Sequence, residues 1–495
     1  VVGGFLLQGN RLAIKLFKRR WVRVNPIIAK NRWPKPLKLL PWHPISEKSR
    51  DWQDLMYLRI HHGPANPDFF HCWRTLTTFA STGFCKDGVN KTSGQHVSGV
   101  GGTAMKELFK TMLLIGLILP GTANAGHLQE VIDGQTALTC DLYQCLAEKP
   151  GNLVFSPASI SLALAMTYGG AQGQTAAEMA HALHFPDEAK ALHAGNQMLS
   201  LGLEMSESPT VFLAVANRLW PDLSLKLKPS FLNLCASNYG AAPEALDFAH
   251  HPDLARQAIN SWAEEQTHGL IKDLLEKNDI TGATLMVLTN AITFKGTWAR
   301  AFDPDRTRSG QFHISDDQQV KADFMTQEGP FPHAAVEGVQ LLELPYRQGE
   351  LAMLIALPDP DLELAQLEAT LTPRLLEQWN DALRQTDLMV TLPRFGMTYR
   401  TELRAILQDL GMNLAFTGQA DFGGMTDGRL FIDQVIHKAR IEVDEKGTEA
   451  AAVTAVTMRK SAKPRFRADR PFLFLIRDTK TGAVIFAGRV VDPGA

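Results

Sequence analysis

The chain has 495 residues, room for one large domain or several, and 45% of them are hydrophobic, an ordinary share for a globular protein. A formal net charge of −2 gives it no general affinity for nucleic acid. Five cysteines, Cys72, Cys85, Cys140, Cys145 and Cys235, are an odd count, and they imply no disulfide framework.

The near-neutral total hides an asymmetry. Residues 1–104 hold 16 Lys+Arg against 5 Asp+Glu, a net +11; residues 105–125 add +1, which leaves −14 for residues 126–495. The join reads as a secretory signal peptide. Met105 is followed by Lys106 and Lys110, then by an apolar run to Pro120 and the small residues Ala123-Asn124-Ala125. That run is about ten residues, half of the roughly twenty needed to span a bilayer. We therefore expect three parts: a non-native or disordered upstream extension over 1–104, a signal peptide over 105–125, and one domain over 126–495. A start site placed too far upstream explains the extension; a basic targeting or membrane-surface segment around Arg11 to Arg23 is the other account. The mature chain is expected outside the cell or in a periplasm.

In order along the mature chain, residues 128–146 have helical spacing, on which Cys140 and Cys145, five apart, diverge. A strand follows at Leu153-Val154-Phe155. Ser156-Pro157-Ala158-Ser159 then opens a second helix, with a serine at the cap and a proline in the first turn. Tyr168-Gly169-Gly170-Ala171 closes it, and a further helix spans 175–183. Residues 211–220 read as a strand, and 258–275 as a helix running into a turn. Residues 285–298 read as a central strand, apolar on both faces, in which Asn290 is the one amide that must find buried partners. Phe302-Asp303-Pro304, Leu344-Pro345-Tyr346 and 351–358 continue strands and tight turns. Leu392-Pro393-Arg394-Phe395 is followed by a helix over 401–410, closed by Gly411 and then Ala420-Asp421-Phe422. Residues 470–476 and 484–493 are two apolar strands joined by a turn at 478–482.

Ahead of them lies an unusual stretch, residues 442–461. From Thr448 every second residue is Thr448, Ala450, Ala452, Thr454, Val456 and Met458, the period of a strand, with little apolar bulk and with Gly447 as a permissive pivot. It could be a loop or a strand. The run Glu445, Gly447, Thr448, Glu449, Ala450, Ala451, Ala452 resembles the hinge of the inhibitory serpins. The fragments above fall in that family's order over about residues 128–493. Strand addition by a serpin loop is a known behaviour of that family, and small residues suit it, because a side chain sliding between two strands must pass without a clash.

The resemblance implies an α+β serpin fold, with a mixed main β-sheet, further sheets, about eight or nine helices and an exposed reactive loop near the C-terminus. It implies an exported, bacterial, inhibitory member that is no enzyme. Ser156, Pro157 and Ser159 would lie beneath the main sheet where strands part. Asn290 would join a network with a histidine on the neighbouring strand, for which His437 is the matching position, and Trp298 would sit beneath the point of loop entry. The implied mechanism is suicide inhibition of a serine or cysteine protease: the loop is cut, the acyl-enzyme forms, and the loop enters the sheet before water completes hydrolysis. The family's usual spacing from the hinge glycine puts the scissile carbonyl at Ser461, and the spacing of members one residue shorter puts it at Lys460; the reactive bond is expected at Lys460-Ser461, then Arg459-Lys460, then Ser461-Ala462. A basic residue there suits a trypsin-like partner, held in a covalent complex. Val453 stands where many relatives carry alanine, a change expected to slow insertion slightly.

Six Lys or Arg residues between Arg459 and Arg470 could meet a polyanion, although a solvated charged loop is the simpler account. A monomer is expected, with no cofactor. The pairs His61-His62 and His250-His251 are no metal site, since adjacent side chains point apart. No Gly-x-Ser-x-Gly elbow, His-Glu-x-x-His or phosphate-binding loop competes. A non-inhibitory carrier or chaperone of the same fold is the alternative.

Overall fold

The computed structural model describes residues 123–206, 210–347, 349–445 and 463–494. From the N-terminus the elements are α1 (Ala123–Ala147), β1 (Leu153–Phe155), α2 (Pro157–Tyr168), α3 (Gly173–Ala182), α4 (Ala189–Ser206) and β2 (Val211–Pro221). Next come α5 (Pro229–Asn238), α6 (Pro252–Gln266), β3 (Met286–Gly296), β4 (Arg308–His313), β5 (Gln319–Val336), β6 (Val339–Pro345) and β7 (Leu351–Pro358). The chain continues through α7 (Leu364–Ala369), α8 (Pro373–Ala382), β8 (Arg384–Pro393), β9 (Phe395–Glu402), α9 (Arg404–Asp409) and β10 (Gln434–Val443). It closes with β11 (Arg465–Arg467), β12 (Phe472–Asp478) and β13 (Val484–Val490).

The strands form two sheets. One runs β1-β13-β12-β7-β6-β5-β8-β11, with β4 also paired to β5; the other is the four-stranded β2-β3-β10-β9. In the smaller sheet β2-β3 and β10-β9 are antiparallel, and β3-β10 is parallel. Its apolar strands explain the packing. All but one residue of β3 is buried, as a strand covered on both faces requires. On one face lies α2, whose residues Pro157 to Thr167 are all buried and which touches β2 and β3 as well as β13 of the other sheet. On the opposite face α6 presses Ala255, Ile259 and Ala263 onto Ala216, Trp220, Val287, Ala291 and Ile436, a separate apolar cluster.

Several boundaries depart from the sequence reading. The helix expected from residue 401 begins only at Arg404, because Thr401 and Glu402 still pair with His437 and Ile436 in the sheet, and the Glu402 carboxylate accepts from the Arg404 N–H at 2.9 Å. The helix expected to begin at residue 258 and run into a turn starts earlier, at Pro252; it ends at Gln266, where His268 and Gly269 with φ of 52° and 80° make the turn. The final strand ends at Val490 rather than 493, and its partner starts at Phe472. Helices α4, α5, α7 and α8 were not foreseen from the sequence. Cys140, Cys145 and Cys235 are free thiols, and Cys140 and Cys235 are buried.

Some expectations fall outside the described residues: the extension 1–104, the signal stretch before Ala123, hinge residues Gly447, Thr448, Glu449, Ala450, Ala451 and Ala452, and the reactive-bond residues Arg459, Lys460 and Ser461.

Candidate functional site: the seam between two parallel strands

A row of polar side chains crosses an otherwise largely apolar face of the small sheet. In register, Asn217 of β2 lies opposite Asn290 of β3, and Asn290 opposite His437 of β10. The start of α2 lies beneath them. Ser156 caps that helix, its side chain accepting from the Ser159 N–H at 3.2 Å, and Pro157 occupies the first turn, where no N–H is needed.

The backbone N–H of Ser156 donates to His437 Nε2 at 3.2 Å. A backbone N–H can only donate, so Nε2 carries no proton. The proton sits on Nδ1, which donates to Asn290 Oδ1. Asn290 Nδ2 in turn donates to Ser159 Oγ at 2.6 Å and to Asn217 Oδ1. Ser159 Oγ donates to Asn217 Oδ1 at 3.2 Å, and Asn217 Nδ2 returns a bond to the Ser159 carbonyl at 3.3 Å. Ser156, Ser159, Asn290 and His437 are all buried. Burial pushes the His437 imidazole down to about 3, so it is neutral across the physiological range. The network ties β2, β3, β10 and α2 together at the junction of the two parallel strands.

The upper end of the same junction has a second set of ties. Lys295 of β3 reaches across to Glu442 at 3.1 Å and Asp444 at 3.3 Å. Burial pulls its ammonium down, but hydrogen bonds and charge from the two carboxylates outweigh that and hold it above its usual range. Trp298 Nε1 donates to the Asp444 carbonyl at 3.0 Å, and its ring stacks on Tyr346 at 4.5 Å and 11°. Tyr346 packs so closely on the end of β3 that a Cβ on Gly296 would lie 2.6 Å from its ring; glycine is required there by proximity. Glu445 is buried, accepting from Thr307 Oγ1 at 2.7 Å and facing Arg394 Nε at 3.5 Å, while its carbonyl accepts from the Phe302 N–H. The chain re-emerges at Lys463, paired to Asp387 at 3.1 Å and Glu328 at 3.5 Å, and Pro464 accepts from the Met389 N–H. Both roots of residues 446–462 are therefore firmly held.

Of the sequence-selected residues, Ser156, Ser159, Asn290 and His437 meet in one network, with Pro157 in its helix turn; Trp298 and Glu445 meet at the upper end. Sequence reasoning missed Asn217, Lys295, Thr307, Arg394 and Tyr346 as parts of the site. Asn217 was discoverable, as an amide in a strand otherwise apolar on that face. Lys295 and Arg394 gave no signal, since their partners are 147 and 51 residues away in sequence.

Among the described residues of the basic run, Lys463 is paired as above, Arg467 pairs with Asp469 at 2.7 Å and lies over Phe324, Arg470 lies 3.4 Å from Asp469 and donates to the Pro358 carbonyl, and Arg465 is exposed. His250 lies in an exposed turn against Asp247. Among the described residues there is no group of three or more metal-ligating side chains, and no helix is long and apolar enough to cross a membrane.

Comparison with known proteins gives this arrangement its family. The model for "Serpin (serine protease inhibitor)" matches residues 133–493. An uncharacterized serpin-like protein of Thermococcus kodakarensis is 38% identical over 375 residues, covering 74% of this chain and 87% of that protein. The leukocyte elastase inhibitor of Xenopus laevis is 38% identical over 365 residues, 71% of this chain and 97% of its own. Among solved structures, human thyroxine-binding globulin superposes with a TM-score of 0.68 at 30% identity, covering 74% of this chain and 99% of that one. Proteins of this fold are typically inhibitors without catalysis of their own. The chain belongs to the serpin family.

Proposed function

We propose that this serpin is a suicide-substrate inhibitor of serine proteases. The observation that carries the reading is the parallel junction between β3 and β10 in the small sheet, together with the fact that residues 446–462 leave from the end of β10. A segment turning back from Glu445 runs antiparallel to β10 and therefore also to β3. Insertion replaces one parallel ladder of eight paired positions with two antiparallel ladders. At about 1 kcal/mol net per added hydrogen bond, roughly eight new bonds give about 8 kcal/mol, the size of a whole domain's stability. The strands must separate by about 4.8 Å to admit it.

The Thr448 to Met458 alternation of small residues supports passage between them. Lys460-Ser461 is the preferred scissile bond, ahead of Arg459-Lys460 and Ser461-Ala462, and it suits a trypsin-like enzyme. Export after Ala125 fits the same role. The carrier reading has one support, a relative whose name says that it binds thyroxine.

The test is to mix residues 126–495 with trypsin and resolve the products on a denaturing gel. A complex that survives boiling is expected. Cleavage of the loop without a complex refutes inhibition.

A further inference from the structure

Tyr346 carries a polar group that the seam leaves unpaired. It follows β6 and lies against the end of β3, only 1% exposed. Its backbone is tied on both sides: the N–H donates to the Leu351 carbonyl at 2.9 Å, and the carbonyl accepts from the Gly349 N–H at 3.0 Å. Its ring is held as firmly, stacked on Trp298 and meeting Phe294 edge-on at 4.9 Å. The hydroxyl alone is left over. It is buried and makes no hydrogen bond among the described residues. Burial pushes the phenol well above its usual range, so the group keeps its proton and stays a donor.

A buried donor without an acceptor costs stability, because it has given up water and gained no partner in exchange. Tyr143 shows the ordinary solution in the same molecule: it is as deeply buried, and its hydroxyl donates to Glu368 at 2.8 Å. Tyr346 lacks such a partner, and it stands where one can arrive. Trp298, stacked on it, is the residue whose Nε1 holds the Asp444 carbonyl just past β10. Gly296, whose added Cβ would meet the Tyr346 ring, is the last residue of β3. The unpaired hydroxyl therefore belongs to the upper end of the junction between the two parallel strands. A strand laid between β3 and β10 brings new acceptors to that end.

We propose that Tyr346 biases the seam toward insertion: its unpaired hydroxyl destabilises the closed sheet and gains an acceptor once the sheet holds an added strand. The proposal rests on the inhibitory reading above and assigns part of its driving force to one oxygen. Ring and hydroxyl then have separate roles. The ring supports Trp298 and the end of β3, whereas the hydroxyl favours the opened junction.

The test uses Tyr346→Phe, which keeps the ring, beside wild type in two forms: intact, and nicked within residues 446–462 by thermolysin, a zinc protease that forms no acyl-enzyme and so cannot be trapped. Intact Tyr346→Phe should melt about 2 to 6 °C higher than intact wild type. Nicked Tyr346→Phe should melt no higher than nicked wild type. The number of inhibitor molecules consumed per trypsin trapped should rise about two- to fivefold in the variant, because slower insertion lets deacylation win more often. Tyr143→Phe is the control; it removes a paired hydroxyl and should lower the melting temperature of both forms. An intact Tyr346→Phe that melts no higher than wild type overturns the proposal. So does an equal rise in the intact and nicked forms, which would leave the hydroxyl unpaired with the strand in place; the inhibitory reading survives either result. Should nicked wild type melt no higher than intact wild type, the inhibitory reading fails and takes this proposal with it.

Discussion

Acidification should loosen the seam through one side chain, His437. Its neutral imidazole is fully buried, accepts from the Ser156 N–H and donates to Asn290, a set of contacts that an imidazolium cannot keep. Burial lowers its pKa from 6.5 to about 3. As pH falls, the unfolded chain takes up this proton before the folded one. The stability due to the neutral ring is complete above about pH 6.5 and is lost progressively toward pH 3. At pH 5 the loss is about 2 kcal/mol, 1.5 pH units at roughly 1.4 kcal/mol each. Other groups titrate in the same window, among them Glu402 and Asp433, both raised first by burial. The informative quantity is therefore the difference between wild type and His437→Gln, each unfolded in urea at pH 7.5 and pH 5.0. Wild type should lose about 2 kcal/mol more than the variant, a midpoint difference of about 0.5 to 0.7 M for an m-value near 3 to 4 kcal/mol/M. Parallel pH dependence in the two proteins, or a larger loss in the variant, refutes the role given to His437.

The buried pair Arg489–Glu368, with side chains 7% and 8% exposed, also holds Tyr143 OH and the Gly151 carbonyl. Glu368→Gln leaves the guanidinium uncompensated and should cost about 3 to 5 kcal/mol, read as a lower urea midpoint; a change under 1 kcal/mol would mean that solvent reaches the site. Thr448→Arg should leave the melting curve intact and turn inhibitor into substrate, so an undiminished boiling-resistant complex counts against the hinge. Cleavage near Lys460 should raise the melting temperature, because the freed strand gains its ladders; a nicked form that melts no higher than the intact one removes the driving force.

Much of the site was legible because its signals are local. Ser156-Pro157 is a cap whose chemistry involves residues three apart, and the structure places it at the start of α2 with its oxygen on the Ser159 N–H. Asn290 stood out as a lone amide in an apolar strand. Its link to His437, 147 residues away, came only through resemblance, since no spacing rule connects two strands whose neighbourhood is set by the sheet. Lys295 and Arg394 look like ordinary surface cations in sequence. They become ties only because β3 and β10 end, and β9 begins, around Asp444 and Glu445.

Periodicity and turn chemistry by themselves established the apolar strands, the capped second helix and the small-residue alternation after Gly447, because each depends on residues within a few positions of one another. Tertiary structure alone decided that the sheet carrying Asn290 is the smaller of the two, and that β3 and β10 are parallel neighbours. It also decided that α6 covers one face while α2 covers the other. Strand order is fixed by which apolar faces can be buried at once, a condition on the whole chain that no short window contains.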